Sequence, residues 1–453
     1  MHMPHQSSAA SRDPASLHSP NTAHLDLIDL HRKHGPLVRT APHVVSVADS
    51  AMIPLIYGAT EKFKKPAFYP IQCISWRKQP AMNLFSTRDP EQHRVEKRKV
   101  GAAYSLGNLL AMEDQIDSCT RLFCDRMEEA NKSPIDLGAW LQYYAFNVVG
   151  EPTFSQKLGF LEGGQDVDGM MKAIEGMLAY ASMCGQVPWW HNVLLGNPLL
   201  TKLAPAMEHW NQVLIFTLKA INSRTELQRD GELNDAAEQG ADMLSRWHNV
   251  KSTDPLKMTT RDIIVHLSTN NHEAMAKMRA EIDEADGKGL LTHPIRYKEV
   301  TAHLPYFCAV LKEAMRLNPS VGLIMERHVP PQGANICGKE IPGGTIVGIN
   351  PWVLNYDESL FERPESFEPS RWIDGTKEEL QGREHILSLN FGAGARGCIG
   401  KHTSLIEMHK ILPEMYRRFD VKLVRPDEPW KTTNHWFVQQ EGLICTLAPR
   451  AQH

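Results

Sequence analysis

Apolar residues recur every three or four positions over long stretches of this chain and alternate over only a few short ones. From about residue 90 to 250 the pattern is mainly helical, as in DQIDSCTRLFCDRMEEANK. HLDLIDLHRKHG predicts a short helix stopped at Gly35-Pro36. LVRTAPHVVSVAD alternates and is rich in Val, predicting two short strands around a Pro-containing turn. PWWHNVLLGNP, with Trp189 and Trp190 between turn signals, reads as a loop or helix junction. TTRDIIVHLSTNNHEAMAKMRAEIDEA is helical again, capped at Thr259 or Thr260, and LPYFCAVLKEAMRLNP is helical between Pro305 and Pro319.

Strand-like pieces broken by Gly and Pro follow in ERHVPPQGANICGKEIPGGTIVGIN, and a Pro-rich, aromatic meander runs from about 355 to 390. GKHTSLIEMHKILPEMYRRF predicts a helix whose Leu405, Met408, Leu412, Met415 and Phe419 form one stripe. DVKLVRP and GLICTLAP read as strands. With no internal repeat and no Gly/Ser linker, the pattern predicts a mainly α fold with small peripheral β-sheets. Residues 26–453 are expected to form a single domain behind a disordered lead, 1–25, rich in Ser, Ala, His and Pro.

Composition narrows this picture. The 453 residues are 42% apolar, enough for a large core, and the formal net charge of -4 favours neither nucleic acid nor an acidic membrane surface. No apolar run reaches the roughly 20 residues of a membrane span or the pattern of a signal peptide. Membrane attachment is therefore doubtful, and a cytoplasmic location, or a peripheral one at the endoplasmic reticulum, is expected. The eight cysteines (73, 119, 124, 184, 308, 337, 398 and 445) include no CxxC pair, too sparse for a disulfide framework or a zinc site. A reducing compartment and mostly small buried thiols fit them better.

Cys398 stands apart. It lies in Phe391-Gly-Ala-Gly394-Ala-Arg396-Gly-Cys398-Ile-Gly400, which opens the last long helix. Five fixed positions of this kind arise by chance in such a chain on the order of once in ten thousand. The run matches FxxGxRxCxG and resembles the haem-binding loop of cytochromes P-450. The resemblance implies that Cys398 is the axial thiolate of a haem iron, where it pushes electron density onto the metal and favours O–O cleavage. Gly394 and Gly400 would let the backbone approach the porphyrin, backbone amides would hold the sulfur anionic, Arg396 would pair with a propionate, and Phe391 would shield the sulfur.

Other segments resemble the family in the same order. Glu313-Ala-Met-Arg316 puts an acid and a base on one helical face. With Arg371 of FEPSRW they resemble the family's buried structural triad, a clasp behind the cysteine loop. His93 and Lys97 in HRVEKRKVGAAYS, and Arg327 in ERHVP, take the places of further propionate partners. NVVGEPTFSQKLGFLEGG and TIVGINPWVLNYDESLF are similar to fungal members of the pisatin demethylase kind. The resemblance covers roughly residues 27 to 448.

One element departs from it. The family's long distal helix carries an acid–alcohol pair in (A/G)Gx(D/E)T(T/S), and this motif is absent from the sequence. A helix crossing a haem and its flanks needs about 20 to 30 residues. DIIVHLSTNNHEAMAKMRAEIDEA is only that long in total and must also serve as the following helix, so the central distal helix is expected to be shortened at Asn270-Asn271. Three readings stay open: a shortened gene model or splice form, an impaired haem protein, or a chemistry that needs no proton relay. No catalytic role is assigned to Thr269, Asn270 or His272.

The resemblance thus implies a haem-thiolate monooxygenase of fungal secondary metabolism, fed by NADPH through NADPH-cytochrome P-450 reductase. It would insert one atom of dioxygen into a small hydrophobic metabolite. Substrate contacts are expected around Phe68 to Phe85, Trp189-Trp190, Val321 to Met325 and Trp436-Phe437. The alternatives are a haem-thiolate isomerase, dehydratase or peroxygenase, or a haem-binding pseudoenzyme.

Overall fold

The structure is a computed structural model that describes residues 22–197 except 61, 77, 78 and 131, and residues 272–450 except 429 and 430. Between them it describes only 215, 218, 219, 222 and 243. The expected helix cap at Thr259 or Thr260, the Asn270-Asn271 junction and the shortened distal helix lie outside the described residues.

The described residues are mostly helical, with small separate sheets. Helix α1 (Ala23–His34) takes in the last three residues of the expected lead, because His24 is buried against Trp352, ring centroids 4.3 Å apart. Strands β1 (Leu37–Ala41) and β2 (Val44–Val47) form the expected hairpin. They enter a four-stranded sheet in which β2 runs parallel to Ile346–Gly348, and that strand pairs antiparallel with Arg327–His328. Arg327, opposite Val347, is thereby fixed at the sheet edge.

Helix α2 (Ile53–Tyr57) and helix α3 (Pro90–Val100) follow, α3 opening on Pro90 with the Asp89 carboxylate capping the Glu91 N–H. In α4 (Glu113–Glu129), Ile116, Cys119, Phe123 and Met127 are buried at helical spacing, as the periodicity predicts. Helix α5 (Leu137–Phe154) packs beside it. Helix α6 (Pro305–Leu317) begins with proline and stops before Asn318-Pro319.

Two elements differ from the sequence reading. The expected meander contains a 12-residue helix, α7 (Lys377–Ser388). Its start is a capping box: the Glu379 N–H donates to Thr376 Oγ1 (3.2 Å), and the Thr376 N–H to Glu379 Oε2 (2.9 Å). The last helix, α8 (Lys401–Arg418), is buried almost all round rather than along one stripe. Its charges are paired inside: Lys410 Nζ lies 2.8 Å from Glu113 and 2.5 Å from Asp117, and Arg417 bonds Glu414 and Asp286. Paired ions tolerate burial that lone ones do not. One connected core runs from Val45 to Leu447 around α8.

A cysteine loop facing a cationic, aromatic cleft

The segment after α7 closes on itself. The Cys398 N–H donates to Phe391 O (2.7 Å) and the Gly397 N–H to Gly394 O (3.2 Å), with Gly392 and Gly394 at positive φ. Asn390 anchors the start, donating to Met315 O at the end of α6 (2.8 Å) and accepting from Asn355 Nδ2 (3.1 Å). Cys398 is half-buried, three residues ahead of the first turn of α8.

Two members of the predicted triad lie on α6 and the third, Arg371, packs against it. Glu313 and Arg316 are fully buried, with Arg316 Nε and Nη2 on the two carboxylate oxygens at 2.9 and 2.8 Å. Arg371 Nε adds a bond to Glu313 of 3.0 Å, and its Nη2 lies 3.4 Å from Glu368. The Trp372 indole N–H (2.8 Å) and the Glu368 N–H (3.0 Å) also donate to Glu313. Burial alone would raise the Glu313 pKa. The Arg316 hydrogen bonds and the charges of Arg316 and Arg371 overcome it and hold the carboxyl below its usual range. Arg316 also donates to the Asn355, Pro364 and Ser366 carbonyls, stitching the segment before α7 to α6. Trp372 carries no signal in the sequence beyond its place next to Arg371.

Above the loop opens a cleft, partly open to solvent. His93, Lys97, Arg327, Phe391, Arg396 and Cys398 all line it, although they come from three separate parts of the chain. Gly394 and Gly400 do not line it. A Cβ on Gly394 would sit 1.7 Å from Tyr57 O, so this glycine is required by the close approach of the end of α2 at φ +62°. Gly400 is buried as the N-cap of α8. The pair serve backbone packing and helix entry here.

Lys97 Nζ donates to Ala395 O (2.6 Å) and Arg396 Nη1 to Thr87 O (2.8 Å), tying the loop to α3 and the segment before it. Arg327 donates to the Tyr69 hydroxyl (3.1 Å) and lies over the Tyr57 and Tyr69 rings. Lys65, which sequence reading missed because nothing separates it from Lys64, joins the same cleft, 5% exposed. Four cations and a histidine line the space, and no Asp or Glu does among the described residues. The consequence is legible in His93: burial first, then the charges of Arg396, Lys97, Lys65 and Arg327, push its pKa down to about 3. Phe85, Trp436 and Phe437 supply an apolar wall. Trp189 and Trp190, by contrast, are exposed on a short helix and do not line the cleft.

A half-buried thiol facing a space lined by aromatic rings and by four cations suits a macrocycle with a central metal and two carboxylates. The residues fit haem. The cytochrome P-450 family model matches residues 16–264 and 250–447. The chain belongs to the cytochrome P-450 family. A cytochrome P-450 monooxygenase of Aspergillus terreus is 37% identical over 423 residues, covering 86% of this chain and 84% of its own length. The cytochrome P-450 monooxygenase cicH of Emericella nidulans is 34% identical, covering 94% and 89%. The cytochrome P-450 monooxygenase mpaDE' of Penicillium brevicompactum is 31% identical over 92% of this chain, which spans about half (51%) of that relative. Like its family, this P-450 is a haem-thiolate monooxygenase whose electrons come from NADPH through a reductase. Among the described residues no helix is long and apolar enough to cross a membrane.

Proposed function

We propose that this P-450 inserts one oxygen atom of dioxygen into a small apolar metabolite, with Cys398 as the thiolate that would hold the haem iron. The observation that carries this is the convergence of Cys398, Arg396, Lys97, His93 and Arg327 on one cleft. Haem bound there supplies the oxygen-splitting chemistry. The chain's own residues would do the rest: Arg396, Lys97, Arg327 and His93 would hold the carboxylates, and Phe391 would screen the sulfur from water. Glu313, Arg316 and Arg371 hold the segment from which Asn390 leads into the cysteine loop. Tyr69, Phe85, Val321 and Trp436 keep the substrate side dry.

The fungal sources of the relatives support a place in secondary metabolism. The connected core from Val45 to Leu447 supports one domain over 26–453, and residues 1–21 of the expected lead lie outside the described residues. We place the protein in the cytoplasm or peripherally at the endoplasmic reticulum, served there by NADPH-cytochrome P-450 reductase.

The absence of the acid–alcohol motif from the sequence favours a second reading, a peroxide-driven or rearranging haem-thiolate enzyme. Turnover with peroxide but none with NADPH plus reductase selects it. The ligand assignment is tested by carbon monoxide difference spectra of the reduced protein. The thiolate-type Soret band is expected in the wild type and absent in Cys398→Ala, and its persistence in the variant refutes the assignment.

A further inference from the structure

Two residues that do not line the cleft hold one of its walls in place. Trp436 lines the same cleft as Cys398 and is 3% exposed. It forms the one-residue tip between strands Lys431–His435 and Phe437–Glu441, at φ 76°. A bulky residue avoids that conformation, which persists only where the surroundings over-determine it. Part of the constraint is backbone: the Gly322 N–H donates to Trp436 O (2.8 Å) and the Val438 N–H to Ser320 O (2.8 Å). The rest comes from Phe68, which stacks on the indole, ring centroids 4.8 Å apart at 29°. Phe68 is fully buried behind it and does not reach the cleft.

Behind Phe68 there is no slack. Residue 185, buried just past the helix Met170–Cys184, is a glycine. A Cβ there would fall 2.0 and 2.3 Å from Cδ2 and Cε2 of the Phe68 ring. The same helix packs against both the Tyr69–Gln72 turn and the Lys431–His435 strand, so it braces ring and hairpin together. To one side Tyr69 meets Phe68 edge-on at 5.5 Å, and Tyr69 itself lines the cleft. A ring displaced from Gly185 moves against Trp436 or Tyr69, and either motion narrows the cleft. Close-packed interiors transmit such shifts because they hold few voids to absorb them.

We propose that Gly185 and Phe68 are positioning residues that set the width of the cleft through Trp436. A larger residue at 185 pushes the wall in, and a smaller one at 68 lets it settle back. The inference rests on the haem reading above and adds to it a control on substrate size from outside the cleft.

The test uses haem-loaded protein whose carbon monoxide band has first been recorded, with imidazole and 4-phenylimidazole as probes. Both ligate iron through the imidazole nitrogen, and only the second needs room for a further ring. The ratio of their dissociation constants, read from the Soret shift, therefore reports the space. Gly185→Ala should lower the relative affinity for 4-phenylimidazole about tenfold, with imidazole binding and haem content unchanged. Phe68→Leu should raise it. The double variant should return toward the wild type, because the new methyl then meets no ring. A Cβ at 185 would also lie 2.5 Å from Ala181 O, a strain in the helix end that Phe68→Leu does not relieve. A double variant as impaired as Gly185→Ala therefore overturns the proposal. So do single variants that shift the ratio in the same direction, leave it unmoved, or weaken both probes alike. If Gly185→Ala takes up no haem, recovery of haem and of the ratio in the double variant supports the proposal, and continued failure overturns it. A wild type with no thiolate band brings down the haem reading itself, and this inference with it.

Discussion

The molecule gathers arginines and lysines in two buried places and treats them in opposite ways. Around Glu313 the charges cancel: two arginines face two glutamates, and the central carboxylate receives five hydrogen bonds. In the cleft beside Cys398, four cations of one sign crowd a neutral histidine without a lining acid. The first arrangement is complete within the chain and holds backbone segments together. The second suits an anion from outside the chain. Burial and charge density alone do not tell them apart, but the acids at the centre of the first, and their absence from the described lining of the second, do.

The largest effect is expected from making the first place resemble the second. Glu313→Gln leaves Arg316 and Arg371 buried without their central counter-ion, at a loss of about 3–5 kcal/mol. Urea unfolding should show this directly, and a loss under about 1 kcal/mol would mean that the triad is not the clasp described here.

Acid should separate the two places next. The His93 pKa is lowered from 6.5 to about 3, so the unfolded chain takes up this proton first as pH falls. Its contribution is whole above pH 6.5 and shrinks by up to about 1.4 kcal/mol per pH unit between 6.5 and 3. Glu313, also lowered, holds its contribution above its ordinary value of 4.5 and loses it only at more acid pH. In haem-free protein, urea midpoints between pH 7 and 5 should therefore fall in the wild type and fall less steeply in His93→Gln. Parallel slopes would contradict the cleft's role.

The smallest effect tests the repulsion itself. Lys97→Met should raise the His93 pKa, read by NMR titration of haem-free protein. Stability should change by no more than about 0.5 kcal/mol, since Lys97 is only half-buried. An unmoved His93 would show that burial alone sets its titration.

How much of this was legible beforehand follows from the range of each signal. Helices with strong periodicity, such as α4, and the hairpin of β1 and β2 were readable because neighbours along the chain decide them. The Cys398 run, Glu313, Arg316 and Arg371 were readable because their spacing is local or their motif is dense. Helix α7 was hidden by its aromatic and proline flanks, although Thr376 and Glu379 marked its start. The all-round burial of α8 was not legible, because the partners of Lys410 lie about 300 residues away, at Glu113 and Asp117. Lys65 and the contact of Gly394 with Tyr57 depend on what folds against them, and no pattern of near neighbours encodes that.

The ties that bring Arg396 to Thr87 and Ala395 to Lys97 span 309 and 298 positions of chain. During synthesis the first half emerges from the ribosome long before the sulfur that completes the pocket does. Such distant closures are slow to find. The nascent chain must therefore wait with Phe68, Tyr69 and Phe85 uncovered, so this stage, more than the finished enzyme, is where chaperones and cofactor supply bear on the yield.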